Sequence, residues 1–227
     1  MKLGLAFSGG KDSLACLLLH KHKLDEITVF FVNTGKMYPE TREIVDYAKS
    51  ISPNFIEVIV DRQGQNDYHG IPADVVPINW TLHGQALTCK KDVTIQSYSQ
   101  CCFENIAQPL HNAVKHHQIT HLIRGQRKDE KYRSTAKNND SYDGVTYLHP
   151  IEDWTAFEVL SYISKYIELP PHFNLGHTSL DCFDCTAYQK DTKDVSLYRE
   201  KNHPELHKQF LARKEQLDSA IREALEI

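Results

Sequence analysis

Short apolar runs alternate with amphipathic segments along the first half of the chain. Each run is rich in branched or aromatic side chains and ends at polar residues, a pattern that is typical of buried strands. The runs are residues 3–7 (LGLAF), 27–32 (ITVFFV), 55–60 (FIEVIV) and 119–123 (ITHLI). Helical spacing follows the first two runs. The alternation therefore predicts the α/β fold class, with a doubly wound, mostly parallel sheet that helices cover on both faces.

The rest of the chain has weaker patterns. Residues 62–98 show little periodicity, and a loop of that length is usually functional or carries short elements, so we expect it to cover a site. The segment from His203 to Leu225 has helical spacing and predicts an α-helical C-terminal extension. We expect its apolar stripe to pack against the core, and a homodimer surface is the second alternative. The stripe consists of Leu206, Phe210, Leu217 and Ile221.

The composition excludes several classes of protein. A net charge of −4 over 227 residues gives no general basic field that would recruit nucleic acid. No apolar stretch approaches the ~20 residues that cross a bilayer and no signal peptide is visible, so we expect a cytoplasmic protein with no membrane partner. Six cysteines in a reducing compartment indicate metal or redox chemistry rather than a disulfide framework.

The hexapeptide SGGKDS stands where the first predicted strand ends and a helix begins. Backbone N–H groups at a helix start are unsatisfied and lie at the positive end of the helix dipole, so they bind phosphate or sulfate. The glycines allow close approach, the lysine adds charge and the serines add hydroxyls. The aspartate could hold Mg²⁺ if the ligand is ATP. The spacing differs from the Walker pattern GxxxxGK[ST]. The predicted anion site comprises Ser8, Gly9, Gly10, Lys11, Asp12 and Ser13.

Three segments resemble one known family. SGGKDS resembles the PP-loop signature of the adenine nucleotide alpha hydrolase-like superfamily. VNTGKMYPET at 32–41 is similar to the DTGxxFPET element of the phosphoadenosine phosphosulfate (PAPS) reductase family, with Asn33 in place of the usual aspartate. HPIEDW at 149–154 is similar to a later element of that family. The resemblance implies a Rossmann-like fold of the adenine nucleotide alpha hydrolase-like kind.

The same resemblance implies a domain organisation and a ligand. A PP-loop PAPS reductase-like domain would span residues 1–185, and residues 186–227 would form a helical extension of the same domain. An adenylyl nucleotide would place its anionic group on the hexapeptide. Its adenosine would lie near Asn33, Thr34 and Gly35.

A second basic cluster, RGQRKDEKYRS, follows the fourth predicted strand. The planar fork of an arginine suits phosphate and sulfate oxyanions, so we expect anion contacts, strongest at Arg124 and Arg127. In the PAPS reductases the matching segment contributes substrate contacts, which adds Gln126 and Arg133 to the candidate nucleotide-binding residues. The candidate catalytic residues are Lys11, Asp12, Arg124 and Arg127.

Two pairs of cysteines have the spacing of a metal site. Cys101 and Cys102 are adjacent, and Cys182 and Cys185 form a CxxC motif. Four thiolates can hold zinc or an iron–sulfur cluster. Adjacent cysteines are strained around a single ion, whereas a cubane presents several irons, so a 4Fe-4S cluster is favoured. The arrangement resembles the CC…CxxC signature of the 4Fe-4S adenosine phosphosulfate (APS) reductases.

One cysteine of those reductases has no counterpart here. They carry a nucleophile in a C-terminal Glu-Cys-Gly-x-x-His tail, and thioredoxin resolves the thiosulfonate that it forms. No cysteine follows Cys185 in this sequence. The resemblance therefore implies a thioredoxin-like or other thiol donor as a partner, with Cys89 as an internal substitute. Cys16 lies on an apolar helix face and is predicted to be a core thiol.

Two reactions fit the resemblance. In one, APS or PAPS is reduced to sulfite. In the other, Mg-ATP is cleaved to AMP and pyrophosphate with activation of an acceptor, as in the PP-loop ATP pyrophosphatases, and nucleic acid is expected only as such an acceptor. The alternative from a different class is a non-catalytic nucleotide or iron–sulfur sensing subunit of a larger complex.

Overall fold

The structure is a computed structural model of the chain, and it describes residues 1–89, 92–130, 134–175, 180, 182–188 and 193–225. The chain divides into two compact units. Unit 1 comprises Met1–Asn33, Met37–Ile59 and Pro109–Leu180, and unit 2 comprises Thr34–Lys36, Val60–Gln108 and Asp181–Ile227. The domain boundary expected at residue 185 stays a prediction.

Strands and helices alternate through the described residues. The strands are β1 (Leu3–Phe7), β2 (Ile27–Asn33), β3 (Phe55–Ile59), β4 (Ile71–Ala73), β5 (Ile95–Ser97), β6 (His121–Arg124), β7 (Ser141–Tyr142) and β8 (Val145–Leu148). The helices are α1 (Lys11–Leu19), α2 (Pro39–Ile51), α3 (Arg62–His69), α4 (Leu82–Thr88), α5 (Tyr98–Cys102), α6 (Gln108–His116), α7 (Ala156–Ile163), α8 (Lys193–Asn202) and α9 (Pro204–Leu225). A π-helical turn, Phe103–Ala107, joins α5 to α6.

The strands of unit 1 form a six-stranded sheet in the order β3-β2-β1-β6-β8-β7. All neighbours are parallel except β7 and β8. The chain leaves β1 toward β2 and β3 on one side and returns to β6 on the other, so the strand order reverses between β1 and β6. This order confirms the predicted doubly wound, mostly parallel α/β sheet. Ligands of such sheets bind beyond the carboxyl ends of the strands at the reversal, where SGGKDS follows β1 and GQR follows β6.

Two apolar clusters cover the two faces of this sheet. Ile123 belongs to the larger cluster with Leu14 and Leu17 of α1, and residues of α2 and α7 complete that cluster. Leu122 belongs to the other cluster, with Val114 of α6. Successive strand residues point to opposite faces. The last residues of β6 therefore contribute side chains to both faces of the sheet.

Residues 62–98 carry short elements, the second of the two alternatives for this segment. Asp61 accepts a hydrogen bond from the backbone N–H of Gly64 and caps α3. Thr81 caps α4 in the same way, and β4 pairs with β5 in a two-stranded parallel ladder. Elements of three to eight residues are too short to leave a periodic pattern in the sequence.

The core of unit 2 joins these short elements to the last helix. Trp80 and Ile95 pack in one cluster with Leu217 and Ala220 of α9. The C-terminal helix and its role as a core contact are therefore confirmed. Within the described residues, no helix combines the length and the apolar character that crossing a bilayer requires.

Candidate functional site

The turn between β1 and α1 forms an open helix N-terminus in unit 1. Gly9 has a φ of +82°, which favours glycine, and a Cβ built on it would lie 2.7 Å from Thr41 Cγ2. Gly10 occupies the N-cap of α1 in an extended conformation and has no side chain that could cap the helix. The first N–H groups of α1 therefore depend on another acceptor, such as an oxyanion.

The two serines of the hexapeptide hold this turn in shape. Ser13 Oγ donates to the carbonyl of Gly10 at 2.9 Å and accepts from the N–H of Ser8 at 3.2 Å. Ser8 Oγ lies 3.2 Å from Ser13 Oγ and accepts from the N–H of Gly10 at 3.3 Å. Both hydroxyls thus order the backbone that an anion would approach. We call residues 8–13 the anion corner.

Three charged side chains meet beside the anion corner. Asp12 Oδ1 accepts from Arg127 Nε at 2.6 Å, and Asp12 Oδ2 lies 3.3 Å from Lys11 Nζ. Arg127 also binds Asp129. Burial lowers the pKa of Arg127, but Asp12 and Asp129 raise it, and the net direction is upward. The structure therefore brings Lys11, Asp12 and Arg127 together, with the guanidinium held in its charged form.

Close backbone packing fixes the loop after β6 against the anion corner. A Cβ on Gly125 would lie 2.5 Å from the carbonyl carbon of Asp12, so only glycine fits without a shift of the backbone. Glu130 accepts from the backbone N–H of Arg127 at 2.9 Å. Burial is the largest cause that raises the pKa of Glu130, and Asp12 raises it further. Glu130 is therefore a protonatable group near the anion corner that was not among the predicted site residues.

The remaining predicted residues of the basic loop take other roles. Gln126 Nε2 donates to the carbonyls of Ser134 and Ala136, both at 3.1 Å, and ties down the segment after the loop. Arg124 lines a separate pocket, which is described below. Arg133 lies outside the described residues.

The three residues expected at the adenosine divide between the two units. Asn33, in unit 1, donates through Nδ2 to Glu57 Oε1 at 2.8 Å. Thr34 and Gly35 belong to unit 2, where Thr34 Oγ1 lies 3.3 Å from Cys182 Sγ. Gly35 has a φ of +72°. The contact of these three residues with an adenosine stays a prediction.

The four cysteines of the predicted metal site all belong to unit 2. Cys101 is buried, and its sulfur faces the side-chain amides of Asn105 at 3.6 Å and Asn66 at 4.0 Å. Cys182 and Cys185 lie in one turn, in which the N–H of Cys185 donates to the carbonyl of Cys182 at 3.1 Å. Cys102 follows Cys101 at the end of α5 and is partly buried.

A buried arginine that the sequence analysis missed links three of these thiols. The Arg62 side chain is 4% exposed. Burial lowers the pKa of Arg62, but Cys182, Asp184, Cys101 and Cys185 all raise it, and the net direction is upward. One guanidinium therefore lies within electrostatic range of both cysteine pairs. A positive charge there stabilises thiolates.

Asp184, inside the CxxC motif, anchors this arginine. Its carboxylate accepts from Arg62 Nη1 at 2.9 Å and lies 3.5 Å from Arg213 Nη1 of α9 and 4.0 Å from Lys36 Nζ. Arg213 Nη2 in turn donates to Asn66 Oδ1 at 2.8 Å. We call Arg62, Asp184 and Arg213 the buried ion network. The position of Asp184 between Cys182 and Cys185 was the one sequence signal for this network.

The surroundings of these thiols suit a negatively charged group. Within the described residues, no group of three or more His, Cys, Asp or Glu side chains is arranged to hold a single metal ion. Cations and amide donors beside the sulfurs suit the negative charge of an iron–sulfur cluster. The thiols around Arg62 have such surroundings.

The other two cysteines differ in exposure. Cys16 is fully buried in the core of unit 1, as predicted. Burial, with a smaller contribution from Asp12, raises the pKa of its thiol well above the usual range. Cys89 is exposed at the end of α4.

The chain is similar to several known proteins. A family model described as the phosphoadenosine phosphosulfate reductase domain matches residues 2–188. An uncharacterized protein of Methanocaldococcus jannaschii is 23% identical over 193 residues, which cover 82% of this chain and 41% of that protein. An adenosine 5'-phosphosulfate reductase of Salinibacter ruber is 28% identical over 164 residues, which cover 70% of this chain and 57% of the reductase. This chain thus spans about half the length of these curated relatives.

A solved structure shares the fold. The crystal structure of a phosphoadenylyl-sulfate reductase from Candida auris, in a phosphate complex, matches with a TM-score of 0.55 at 17% identity. The match covers 82% of this chain and 83% of that one.

Proposed function

Because this chain belongs to the phosphoadenosine phosphosulfate reductase domain family, we propose that it binds APS or PAPS at the anion corner and reduces the sulfate to sulfite. The open N-terminus of α1 beside Lys11 and Arg127 is the observation that carries this proposal. The N–H groups of the helix start bind the phosphosulfate. Lys11 and Arg127 offset the negative charge that leaves with the nucleotide, which is AMP from APS and adenosine 3′,5′-bisphosphate from PAPS.

The reduction requires two thiols, which a dithiol partner such as a thioredoxin-like protein supplies. The first thiolate attacks the sulfate sulfur and the bond from that sulfur to the bridging oxygen breaks. AMP from APS, or adenosine 3′,5′-bisphosphate from PAPS, leaves with the electron pair. A second thiolate attacks the sulfur of the first thiol, which forms a disulfide and releases sulfite. The sulfate gains two electrons and the dithiol loses them. The exposed thiol of Cys89 is an internal candidate for the first step.

We further propose that Cys101, Cys102, Cys182 and Cys185 bind a 4Fe-4S cluster. When it is bound, such a cluster adds a charged, polarisable group to the electrostatics of unit 2. Arg62 offsets the charge of the thiolates, and the amides of Asn66 and Asn105 donate to the sulfur of Cys101. Anaerobically purified protein should contain roughly four irons and matching sulfide per chain. Stoichiometric zinc without sulfide would refute the cluster.

A second candidate reaction is the cleavage of Mg-ATP to AMP and pyrophosphate. Asp12 favours it, since a carboxylate in the first turn of α1 lies where Mg²⁺ bound to phosphate oxygens needs one. Asp12 already pairs with Arg127 and Lys11, which favours a substrate that needs no metal ion. Phosphosulfate reduction is therefore the first candidate.

One experiment separates the two reactions. Anaerobic protein with its native metal content is incubated with APS, PAPS or Mg-ATP and a dithiol, and AMP, sulfite and pyrophosphate are quantified. Sulfite from APS or PAPS supports the reductase, whereas AMP and pyrophosphate from Mg-ATP alone support the second candidate. No product from any substrate would refute both and leave a non-catalytic subunit.

Variants of two lysines link the activity to the anion corner. Lys11→Ala removes a charged contact and should lower kcat/KM roughly ten- to a hundredfold. Lys128→Ala is the matched control, because Lys128 lies in the adjacent loop and pairs with Asp153 at an exposed position. Equal effects of the two variants would remove Lys11 from the site.

A further inference from the structure

The side chain of Arg124 turns away from the anion corner. Arg124 ends β6 and lies on the same face of the sheet as Leu122, whereas Ile123 packs on the face that α1 covers. A pocket of about 360 Å³ opens there within unit 1. It is lined by Arg124, Ser134, Thr135, Asp140, Tyr142 and Tyr147 among others, and by no residue of the anion corner.

The guanidinium of Arg124 pairs with no carboxylate among the described residues. It lies over the ring of Tyr147, 5.4 Å from the centroid, and makes no hydrogen bond or ion pair with any described side chain. Burial is the largest influence on its pKa and lowers it, against the attraction of Tyr147 and Glu130. A largely buried cation without a hydrogen-bonded or ion-paired partner is costly, so the arrangement suits an anionic ligand.

A second polar side chain beside Arg124 also lacks a partner. His149 is 2% exposed, and neither of its ring nitrogens has a hydrogen-bond partner within the described residues. It lies within electrostatic range of Arg124 and Asp140. Burial, followed by the charge of Arg124, lowers the pKa of His149 and keeps the imidazole neutral. Buried polar groups are nearly always paired. His149 does not line the pocket itself, so the ligand is inferred from Arg124 and the lining residues.

The pocket lining defines the chemistry of that ligand. Ser134 Oγ accepts from the N–H of Ala136 at 3.2 Å, which leaves its own proton available to donate. Thr135 and Tyr142 add further hydroxyls. Asp140 Oδ2 accepts from the N–H of Lys137 at 2.7 Å, and its other oxygen accepts from no described residue. Arginine and hydroxyl donors suit a phosphate, and the carboxylate suits a ligand hydroxyl.

We propose that this pocket binds a second ligand, a small phosphomonoester of a sugar or nucleoside. Arg124 binds its phosphate, with hydroxyl donors around it, and Asp140 accepts from a sugar hydroxyl. The volume lies at the lower end of the range for small-molecule sites. The proposal does not depend on the reaction at the anion corner.

Calorimetric titration with ribose 5-phosphate tests the proposal. Arg124→Gln should weaken binding roughly ten- to a hundredfold, because it removes a charged hydrogen-bond donor and keeps much of the side-chain volume. Arg124→Lys should restore part of the affinity, since the charge returns without the planar fork. Lys11→Ala and the charge-matched control Lys128→Ala should bind as the unmodified protein does.

A second variant guards against a folding defect. Tyr142→Ala changes a pocket residue whose side chain is 66% exposed, so it should leave the fold intact, which circular dichroism checks, and weaken ribose 5-phosphate several-fold. Saturation of the anion corner with APS should leave ribose 5-phosphate binding unchanged. Three results would each overturn the proposal: no binding at millimolar ribose 5-phosphate, equal losses in the Arg124 and Lys11 variants, or competition with APS. Failure of APS turnover would refute the proposed function and leave this test intact.

Discussion

Asp184 carries the buried ion network of unit 2, and its replacement by Asn gives the sharpest test of that network. The carboxylate is 5% exposed and pairs with Arg62, which is 4% exposed, and with Arg213, which is 12% exposed. Asp184→Asn keeps the shape of the side chain and removes its charge. Two buried guanidinium groups then lose the carboxylate that offsets their charge.

The expected cost follows from this burial. Removal of one partner of a buried ion pair costs about 3–5 kcal/mol, because it leaves an uncompensated charge in the interior. The thiols near Arg62 and one hydrogen bond that the asparagine amide retains reduce this loss. We therefore expect Asp184→Asn to lower the free energy of unfolding by about 3 kcal/mol. For a protein of 150–250 residues, about 3 kcal/mol corresponds to a fall in Tm of roughly 6–12 °C.

Thermal unfolding followed by circular dichroism measures this change. The matched control is Asp218→Asn, which removes the i,i+4 partner of Arg222 on α9 at a position where both side chains are more than 60% exposed. Exposed helix pairs contribute about 0.3–0.5 kcal/mol, so the control should lose only about 1–2 °C. If Asp184→Asn lowers Tm no more than Asp218→Asn does, the network does not stabilise unit 2.

Three further predictions use other parts of the chain. Gly125→Ala should lower the free energy of unfolding in urea by roughly 1–3 kcal/mol through overpacking, whereas Gly10→Ala, with its nearest contact at 3.4 Å, should cost far less; equal losses would contradict the close packing. Leu217→Ala should cost about 2–5 kcal/mol by opening a cavity in the core of unit 2, and an unchanged Tm would contradict its place there. Iodoacetamide should alkylate the exposed Cys89 and spare the buried Cys16, whose raised pKa keeps the thiol protonated; mass spectrometry that finds equal labelling would refute this.

Four of the six strands of the sheet were predictable because they are continuous apolar runs, whereas β7 and β8 were not among the predicted strands. Each of the four runs became a strand of unit 1, within one or two residues of the expected bounds. The short β4 and β5 were not predictable, since three residues do not define a period. Side-chain contacts such as that of Gln96 with the carbonyl of Gly70 hold them, and contacts of this kind leave no local signal.

The candidate site was predictable only in part. The spacing of residues predicted the anion corner and the two cysteine pairs, because the residues within each of them lie close together in the sequence. Arg124 and Arg127 looked equivalent in the sequence. Arg124 ends β6, whereas Arg127 comes after Gly125, which packs against the start of α1, so the two side chains lie in different surroundings. Arg62 gave no signal, because its partners Asp184 and Cys182 lie far along the chain.

The assembly of unit 2 from distant segments has a consequence for the order of events during synthesis. Trp80 and Leu217 share one core although more than half of the chain separates them. Contacts between distant residues form slowly, because a long loop has to close before they are made. As the nascent chain leaves the ribosome, the apolar faces of Trp80 and Ile95 lack their partners on α9 until that helix emerges. The core of unit 2 therefore forms only after α9 has been synthesised.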